Sequence, residues 1–436
     1  MRALALLMAG LIVLFAAGCA GRPPAPADSL DAIAADYVRL SLEAGEREPG
    51  YVDAYYGPAD WAEAAKAAPR DQPTLLRDAR ALSARLAALP AAGETQATQR
   101  RRAFLAAQLK AAETRLAMAT GQTFSFVDEA EGLFGVRPVI RPLAQYDAVL
   151  ARIETIVPGE GPLADRVNAF QARLTVPADR LEPVMRAAIA ECRARTARHI
   201  AMPDGEAFTL EFVTDKPWSG YNWYKGGYVS LIQVNTDQPV RISRAVDLGC
   251  HEGYPGHHLL NMLLESRLSR GRGWVEFTIL PLFSPMGLIA EGTANYGVDL
   301  AFPGGEKLAF EQSVLYPLAG LDPALAVRQN ALGEAMRELG GVQTTVAQLY
   351  LDGQIDRETA IGYLQRYQLV SRARAEQSIR FIETYRSYVI NYSLGQDMAR
   401  AYVEAAAPDA AGRWRVFADL IGEPTIPADL LRRPGR

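Results

Sequence analysis

Three of the four histidines in this 436-residue chain lie within one eight-residue segment, at positions 251, 257 and 258. Neutral imidazole is a common ligand of zinc in proteins, and a catalytic zinc usually has three protein ligands and one open position for water. Glu252 directly follows the first histidine, where its carboxylate can take a proton from water activated by a metal. The segment therefore predicts a hydrolytic site with one Zn²⁺ per chain.

The spacing within this segment differs from the usual His-Glu-x-x-His motif, in which two histidines four residues apart share one face of a helix. Here Pro255 would clash with the carbonyl group of His251, four residues earlier, and Gly256 loosens the backbone further. We therefore predict a break at these two residues, which could bring either His257 or His258 to the metal. His257 is preferred as the second ligand, because two residues inserted into the usual motif place it there. His258 is then an alternative ligand or a supporting residue.

A third ligand is expected from a later helix. Glu291 is a lone carboxylate in the apolar, small-residue stretch 287–296. Burying such a carboxylate is costly unless it is paired or bound to a metal. An ion pair with an arginine is the alternative role for Glu291. Tyr296 is a candidate supporting or substrate contact, whereas Glu265 and Glu276 lie in more polar surroundings and rank lower.

The elements that must position these residues are predicted to be mainly helical, with a small β-sheet just before the active-site helix. Alternation of apolar and polar residues in 208–213 and 227–235 predicts the strands, and helical patterning resumes near 242. We divide the chain into a helical region, 31–200, and a catalytic region, 201–436, which form one globular unit. Apolar residues recur with helical spacing in 72–91, 95–120, 143–155 and 178–200.

The N-terminus predicts export. Arg2 precedes an uncharged apolar run from Leu4 to Phe15, which is shorter than the roughly 20 residues that a membrane span needs. The sequence Ala-Ala-Gly-Cys at 16–19 resembles a bacterial lipobox. That resemblance implies cleavage before Cys19 and lipidation of its thiol.

Residues 1–18 would then be a lipoprotein signal peptide and 19–30 an extended tether. Ala20, in place of an aspartate, favours the periplasmic face of the outer membrane. An ordinary signal peptide that happens to contain a cysteine is the alternative.

Charge and the remaining cysteines add two further points. The formal net charge is -4 and no basic stripe stands out, which argues against nucleic acid as a partner. Export would allow Cys192 and Cys250 to pair, but nothing in the sequence fixes their separation. A small buried residue is the preferred interpretation of Cys250, and a reduced thiol near the metal is another.

The motif His-Glu-x-x-Pro-Gly-His-His at 251–258, followed by Glu-Gly-x-Ala-x-Tyr at 291–296, resembles the bacterial DUF885 proteins, a zinc-metallopeptidase-like family. It resembles the gluzincins more distantly. The match is strong in 247–297 and weaker in 386–395, where Tyr-x-x-Gly recurs. Thr293 stands where the family usually has tryptophan, and Asn295 where it usually has a leucine-like residue, so the substrate pocket is expected to differ.

This resemblance implies a large helical metallopeptidase-like fold that hydrolyses a peptide or peptide-like substrate. His251, His257 and Glu291 would be the zinc ligands. Glu252 would be the general base that deprotonates water and later protonates the leaving amine.

Tyrosines supply the remaining candidates. Tyr388 and Tyr392 lie in the segment that resembles the family's C-terminal motif, and either phenol could stabilise the oxyanion. The alternative is that both pack in the core. In metallopeptidases of this kind a strand before the motif pairs with the substrate, which makes Tyr228 and Asn235 candidate substrate contacts. Packing of the sheet onto helices is equally compatible with these residues.

Two other functions remain open at the level of the sequence. The first is a lipid-anchored zinc-binding protein without catalysis, although Glu252 has no use in binding alone. The second is a zinc hydrolase of a non-peptide amide or ester. Histidine and carboxylate ligands would also suit cobalt or manganese.

Overall fold

The computed structural model describes residues 28–216 and 218–432. The predicted signal peptide, Cys19 and most of the tether lie outside these residues. Across the described ranges, no helix combines the length and the apolar character that crossing a membrane requires.

Helices make up most of the described chain, as the periodicity predicts. The α-helices are α1 (Leu30–Arg47), α2 (Ala59–Ala67), α3 (Gln72–Ala88), α4 (Gln96–Ala119), α5 (Phe126–Phe134), α6 (Asp147–Ile156), α7 (Leu163–Ala172), α8 (Ala178–Ala197), α9 (Ser243–Leu248), α10 (His257–Leu263), α11 (Pro285–Ala301), α12 (Glu306–Phe310), α13 (Tyr316–Ala319), α14 (Leu325–Arg337), α15 (Val342–Leu351), α16 (Arg357–Gln368), α17 (Arg372–Tyr385), α18 (Ile390–Ala406), α19 (Ala410–Gly422) and α20 (Pro427–Leu430). Short 3₁₀ segments are Leu143–Tyr146, Val275–Thr278 and Arg386–Val389, and π-helical segments are Gly249–Gly253, Leu264–Arg270 and Glu311–Leu315.

The predicted fold class, mainly α with a small sheet before the active-site helix, is confirmed. The long stripes become α3, α4 and α8, and 143–155 becomes a 3₁₀ turn that continues into α6. The start of α3 follows ordinary capping chemistry, because the Asp71 side chain accepts a 2.8 Å hydrogen bond from the Thr74 amide.

Five strands form two small sheets: β1 (Val52–Tyr55), β2 (Ala207–Val213), β3 (Gly220–Gly226), β4 (Val229–Asn235) and β5 (Ile279–Pro281). β1 pairs antiparallel with β5. The other three follow the order β2-β4-β3, with β2 and β4 parallel and β3 and β4 antiparallel. β4 is therefore the central strand and both of its edges are occupied, so the expectation that the strand from Tyr228 to Asn235 pairs with substrate is wrong.

The helices α11 and α18 cross in direct backbone contact. A Cβ at Gly292 would lie 2.3 Å from the carbonyl carbon of Gly395, and a Cβ at Gly395 would lie 2.8 Å from the Leu288 oxygen. Only glycine allows this approach. The glycines of the two segments that resemble the DUF885 proteins thus meet, and Glu291 lies next to this crossing.

One hydrophobic core contains residues from both predicted regions, and a disulfide ties them covalently. Cys192 in α8 is bonded to Cys250 in the π-helical segment beside His251, and both are fully buried. The sequence favours a small buried residue at Cys250 and leaves its pairing with Cys192 open. In the structure Cys250 is both buried and paired, because the packing of α8 against the histidine segment brings the two α-carbons to 5.4 Å.

Candidate metal centre and its cleft

A break in the helix brings His251 and His257 together. The helix α9 continues as the π-helical segment Gly249–Gly253, and α10 then begins at His257 after a cis Tyr254-Pro255 peptide. The Gly256 amide donates to the Cys250 carbonyl at 3.0 Å. A Cβ at Gly256 would lie 1.8 Å from the His251 carbonyl oxygen, so only glycine lets the chain fold back this closely. The structure therefore has the break expected at Pro255 and Gly256.

Three potential metal ligands converge at this break. His251, His257 and Glu291 each offer one ligand atom, and these atoms lie within 4.8 Å of one another. The Nε2 atoms of the two histidines are 3.1 Å apart, and Glu291 Oε2 lies 3.2 Å from His251 Nε2 and 3.8 Å from His257 Nε2. Two imidazoles and a carboxylate are a common ligand set for a catalytic zinc.

Two neighbouring residues orient these ligands. Asn295 Oδ1 lies 3.0 Å from His251 Nδ1, and its amide nitrogen donates to the Tyr392 carbonyl. This orientation makes Asn295 Oδ1 an acceptor and places the His251 proton on Nδ1, which leaves Nε2 available to a metal. The Tyr388 hydroxyl donates to Glu291 Oε1 at 2.8 Å. Such outer contacts usually fix metal ligands in place.

The remaining oxygen of Glu291 supports a metal as the missing partner. Glu291 Oε2 is buried and makes no hydrogen bond of good geometry among the described residues, and its neighbour at 3.2 Å is His251 Nε2. In the described residues no arginine forms an ion pair with Glu291, so the arginine pair considered as its alternative role is not observed. A buried, unsatisfied carboxylate oxygen is costly, and a cation between the three ligand atoms would remove that cost.

The pKa values of the two histidines also agree with a cation site. Burial alone would lower the pKa of His251, but the Glu291 and Glu252 carboxylates raise it to about 9. Burial and the neighbouring His251 charge lower the pKa of His257 to about 4. In the metal-free protein one proton on His251 therefore balances Glu291, in the place where a divalent cation would do so.

His258 has a different environment. It is fully buried, its Nδ1 lies 2.7 Å from Ser230 Oγ and its Nε2 lies 3.3 Å from Glu206 Oε2. Both ring nitrogens are thus engaged, and the residue anchors α10 to β4 and to the segment before β2. Of the two histidines that the sequence left open, the structure places His257 in the ligand group.

Glu252 lies beside the ligands and makes no side-chain hydrogen bond within the described chain. Asn222 donates to its backbone carbonyl at 2.7 Å, which fixes the backbone and leaves the carboxylate free. A Cβ at Gly220 would lie 2.9 Å from Glu252 Oε1, so the strand β3 passes directly over this carboxylate. Burial raises the pKa of Glu252 to about 7. A carboxylate with such a pKa can both accept and return a proton near neutral pH.

A cleft of about 730 Å³ contains this group. One wall is β3, whose residues from Gly220 to Trp223 line the cleft, and another is a single face of α17. That face includes Arg374, Gln377, Ser378, Phe381 and Tyr385, which recur at helical spacing. A mixed polar and apolar cleft with a ligand cluster at its wall has the features of an active site.

The sequence analysis missed part of this cleft. Asp53 in β1 lines it and accepts a hydrogen bond from the Tyr221 hydroxyl. Burial raises the pKa of Asp53 to about 6. The sequence carried no signal for this pair, because β1 has four residues and its partner β5 lies more than two hundred residues later.

The predicted tyrosines separate into different environments. Tyr388 and Tyr392 both line the cleft, but the Tyr388 hydroxyl is bonded to Glu291, whereas that of Tyr392 has no hydrogen-bond partner among the described residues. Burial and the charge of Glu291 raise the pKa of Tyr392 well above its ordinary value, so its hydroxyl stays protonated and can donate.

Three other predicted residues are not among those that line the cleft. Asn235 donates to the carbonyls of Lys216 and Trp218 and so shapes the loop before β3. Tyr228 is a turn residue with φ 66° whose ring lies under the Arg270 guanidinium. Tyr296 is buried, with its ring centroid 6.2 Å from that of Phe417.

The two carboxylates ranked below Glu291 are also engaged elsewhere. Glu265 accepts hydrogen bonds from Tyr224 and Arg270. Glu276 forms a buried ion pair with Arg101. Neither belongs to the group of potential metal ligands.

Comparison with known proteins finds solved structures of distant likeness. No family model matches the sequence, and no curated protein does. The "putative lipoprotein" from Colwellia psychrerythraea aligns with a TM-score of 0.50 at 15% identity, over 83% of this chain and 68% of its own. This likeness shows a shared helical fold. The M32 carboxypeptidase from Deinococcus radiodurans R1 aligns over 93% of each chain at 15% identity, but its TM-score of 0.37 is too low to establish a common topology.

Proposed function

We propose that the protein is a zinc-dependent metallopeptidase anchored by lipid to the bacterial cell envelope. The observation that carries this proposal is the convergence of His251, His257 and Glu291 beside a free, buried Glu252 at the wall of a cleft. Affiliation with the DUF885 proteins is part of the proposal and rests on the sequence motifs alone.

The three ligands would hold the metal, with Asn295 and Tyr388 keeping them in position. Zinc in such a site acts as a Lewis acid toward water and toward a carbonyl oxygen. His251, His257 and Glu291 leave one side of the group open to the cleft, since all three line it.

The proton transfers belong to Glu252. Its carboxylate takes a proton from the attacking water and carries it to the leaving nitrogen, and its pKa of about 7 suits both transfers. The Tyr392 hydroxyl, protonated and without a partner in the described chain, would donate to the developing oxyanion.

Substrate binding is assigned to β3. Its outer edge has no strand partner in the described sheet, and its residues line the cleft next to Glu252. An extended peptide could add to this edge through backbone hydrogen bonds. This assignment replaces Tyr228 and Asn235, and it is the feature that favours a peptide over other amides or esters.

The decisive experiment compares the wild-type protein with Glu252→Gln in a mixed peptide library. We expect both proteins to bind about one zinc per chain by elemental analysis, and the variant to lose activity by about 10²- to 10⁴-fold. Full cleavage by zinc-loaded Glu252→Gln would contradict the role of Glu252. Zinc binding by the wild type without cleavage of any peptide would instead support the non-catalytic alternative.

A further inference from the structure

Among the described residues, two arginines line the cleft with no carboxylate within hydrogen-bonding distance. Arg244 lies on α9 and Arg374 lies on the face of α17 that lines the cleft. The polar contacts of Arg374 and Arg244 within the described residues are long, at 3.4 Å to Gln377 and 3.5 Å to Ser219 respectively. Both guanidinium groups therefore keep donors free for another partner.

The acidic residue beside Arg244 is shared with a lysine. Asp247 lies 3.8 Å from Arg244, but it forms a direct ion pair with Lys307. Arg374 forms no ion pair within the described ranges. Arg244 and Arg374 line the same cleft, and burial together with the charges of Arg244 and Arg241 lowers the pKa of Arg374. A half-buried group of like charges is unfavourable unless an anion joins it.

Another arginine of the same cleft provides the contrast. Arg115 also lines the cleft, but it makes hydrogen bonds of 2.9 and 3.0 Å to both oxygens of Glu48. One arginine of the cleft is thus paired with both oxygens of a carboxylate, whereas Arg244 and Arg374 have no carboxylate within hydrogen-bonding distance in the described chain.

The position of the two arginines suits a substrate group. Arg244 precedes Glu252 by eight residues on a continuous helical segment, which places their α-carbons about 12 Å apart. A ligand at Arg244 would thus lie within a few residues of a peptide bond held beside Glu252.

From this arrangement we infer that Arg244 and Arg374 bind a carboxylate group of the substrate. Guanidinium groups bind carboxylates through paired, charge-assisted hydrogen bonds. The carboxylate is either the C-terminus of a peptide or the side chain of an aspartate or glutamate. The inference rests on the proposed peptidase function for the nature of the ligand.

The test measures binding separately from cleavage. Zinc-loaded Glu252→Gln protein is immobilised and exposed to a library of N-acetylated hexapeptides in two forms, with free C-terminal carboxylates and with C-terminal amides. Retained peptides are identified by mass spectrometry. The amide form reports acidic side chains, and the free form adds the C-terminal carboxylate.

We expect carboxylate-bearing peptides to be enriched about 10- to 100-fold over neutral ones, as one or two charge-assisted hydrogen bonds would give. Arg244→Gln and Arg374→Gln, each in the Glu252→Gln background, should remove the enrichment. Arg380→Gln is the matched control, because Arg380 is an exposed residue of the same helix that does not line the cleft.

The outcomes separate the two proposals. Enrichment of free-carboxylate peptides alone identifies the C-terminus as the ligand, and enrichment of acidic amides identifies the side chain. Equal retention of charged and neutral peptides, or enrichment that survives both substitutions, overturns the inference. Enrichment that depends on the arginines, combined with a wild-type protein that cleaves nothing, would leave this inference standing and reject the peptidase proposal.

Discussion

Two tyrosines four residues apart face the same candidate site with different tasks. Tyr388 is bonded to the carboxylate of Glu291, and Tyr392 has a protonated hydroxyl with no partner in the described chain. Their type and spacing identified both as candidates, but only the three-dimensional arrangement separates a residue that positions a ligand from one that can contact the substrate.

Substitution of each tyrosine by phenylalanine should therefore have different effects. Tyr388→Phe leaves Glu291 less constrained, so we expect zinc affinity to fall by about 10- to 100-fold. Tyr392→Phe should keep zinc affinity within a factor of about two and lower kcat, because an oxyanion donor acts in the transition state. Competition with a chromogenic chelator measures the first effect and steady-state kinetics the second. Equal losses of zinc affinity in both variants would contradict this division.

The residues of the histidine segment show what the sequence could predict. Pro255 excludes a regular helix, and the break follows from that. Which of His257 and His258 is the second potential ligand does not follow from the sequence. It depends on Ser230 and Glu206, which are distant in the chain and contact both ring nitrogens of His258.

At the scale of elements, the crossing of α11 and α18 positions the candidate site. Glu291 and Asn295 lie on α11, and Tyr392 lies on α18. The Gly292–Gly395 contact sets how closely these two helices approach. The distances between Glu291, Asn295 and the C-terminal tyrosines thus depend on two residues that carry no side chain.

Gly292→Ala should disturb both stability and metal binding. Its Cβ would overlap the backbone of Gly395, and we expect a loss of about 1 to 3 kcal/mol in the free energy of unfolding. Gly333→Ala is the control, because nothing lies within 4 Å of a Cβ at this position in α14. It should be neutral or stabilise the protein by up to about 1 kcal/mol. Urea unfolding measures the stability of the two variants. Equal stability of Gly292→Ala and Gly333→Ala would rule out the close crossing of α11 and α18.

The elements were predictable where the pattern was long and local. The stripes of α3, α4 and α8 each bury a face along many residues, so their periodicity is clear. The sequence does not predict β3, because aromatic residues occupy both of its faces: Tyr221 and Trp223 lie on one face and Tyr224 on the other. The edge strand of the cleft was therefore assigned to the wrong segment.

At the scale of the whole molecule, the disulfide joins the helical region to the histidine segment. Cys192 and Cys250 are separated by 58 residues, so the bond restricts the unfolded chain considerably. Replacement of both cysteines by alanine should lower the free energy of unfolding by about 2 to 5 kcal/mol.

Chemical denaturation of metal-free protein, with and without reductant, checks this prediction. Reductant should destabilise the wild type to a similar extent and leave the double variant unchanged. A wild-type protein that is insensitive to reductant would show that the bond does not form or contributes nothing.

Disulfides persist in oxidising compartments, so the buried pair agrees with the export that the N-terminal sequence predicts. We expect the full-length chain to fractionate with membranes and to require detergent for release. Cys19→Ser should shift it to the soluble envelope fraction, because a lipid on Cys19 would be the anchor. Zinc content should stay unchanged, since the candidate site is built from residues 251–295 and 388–392. A Cys19→Ser protein that remains in the membrane fraction would show that another feature of the chain holds it there.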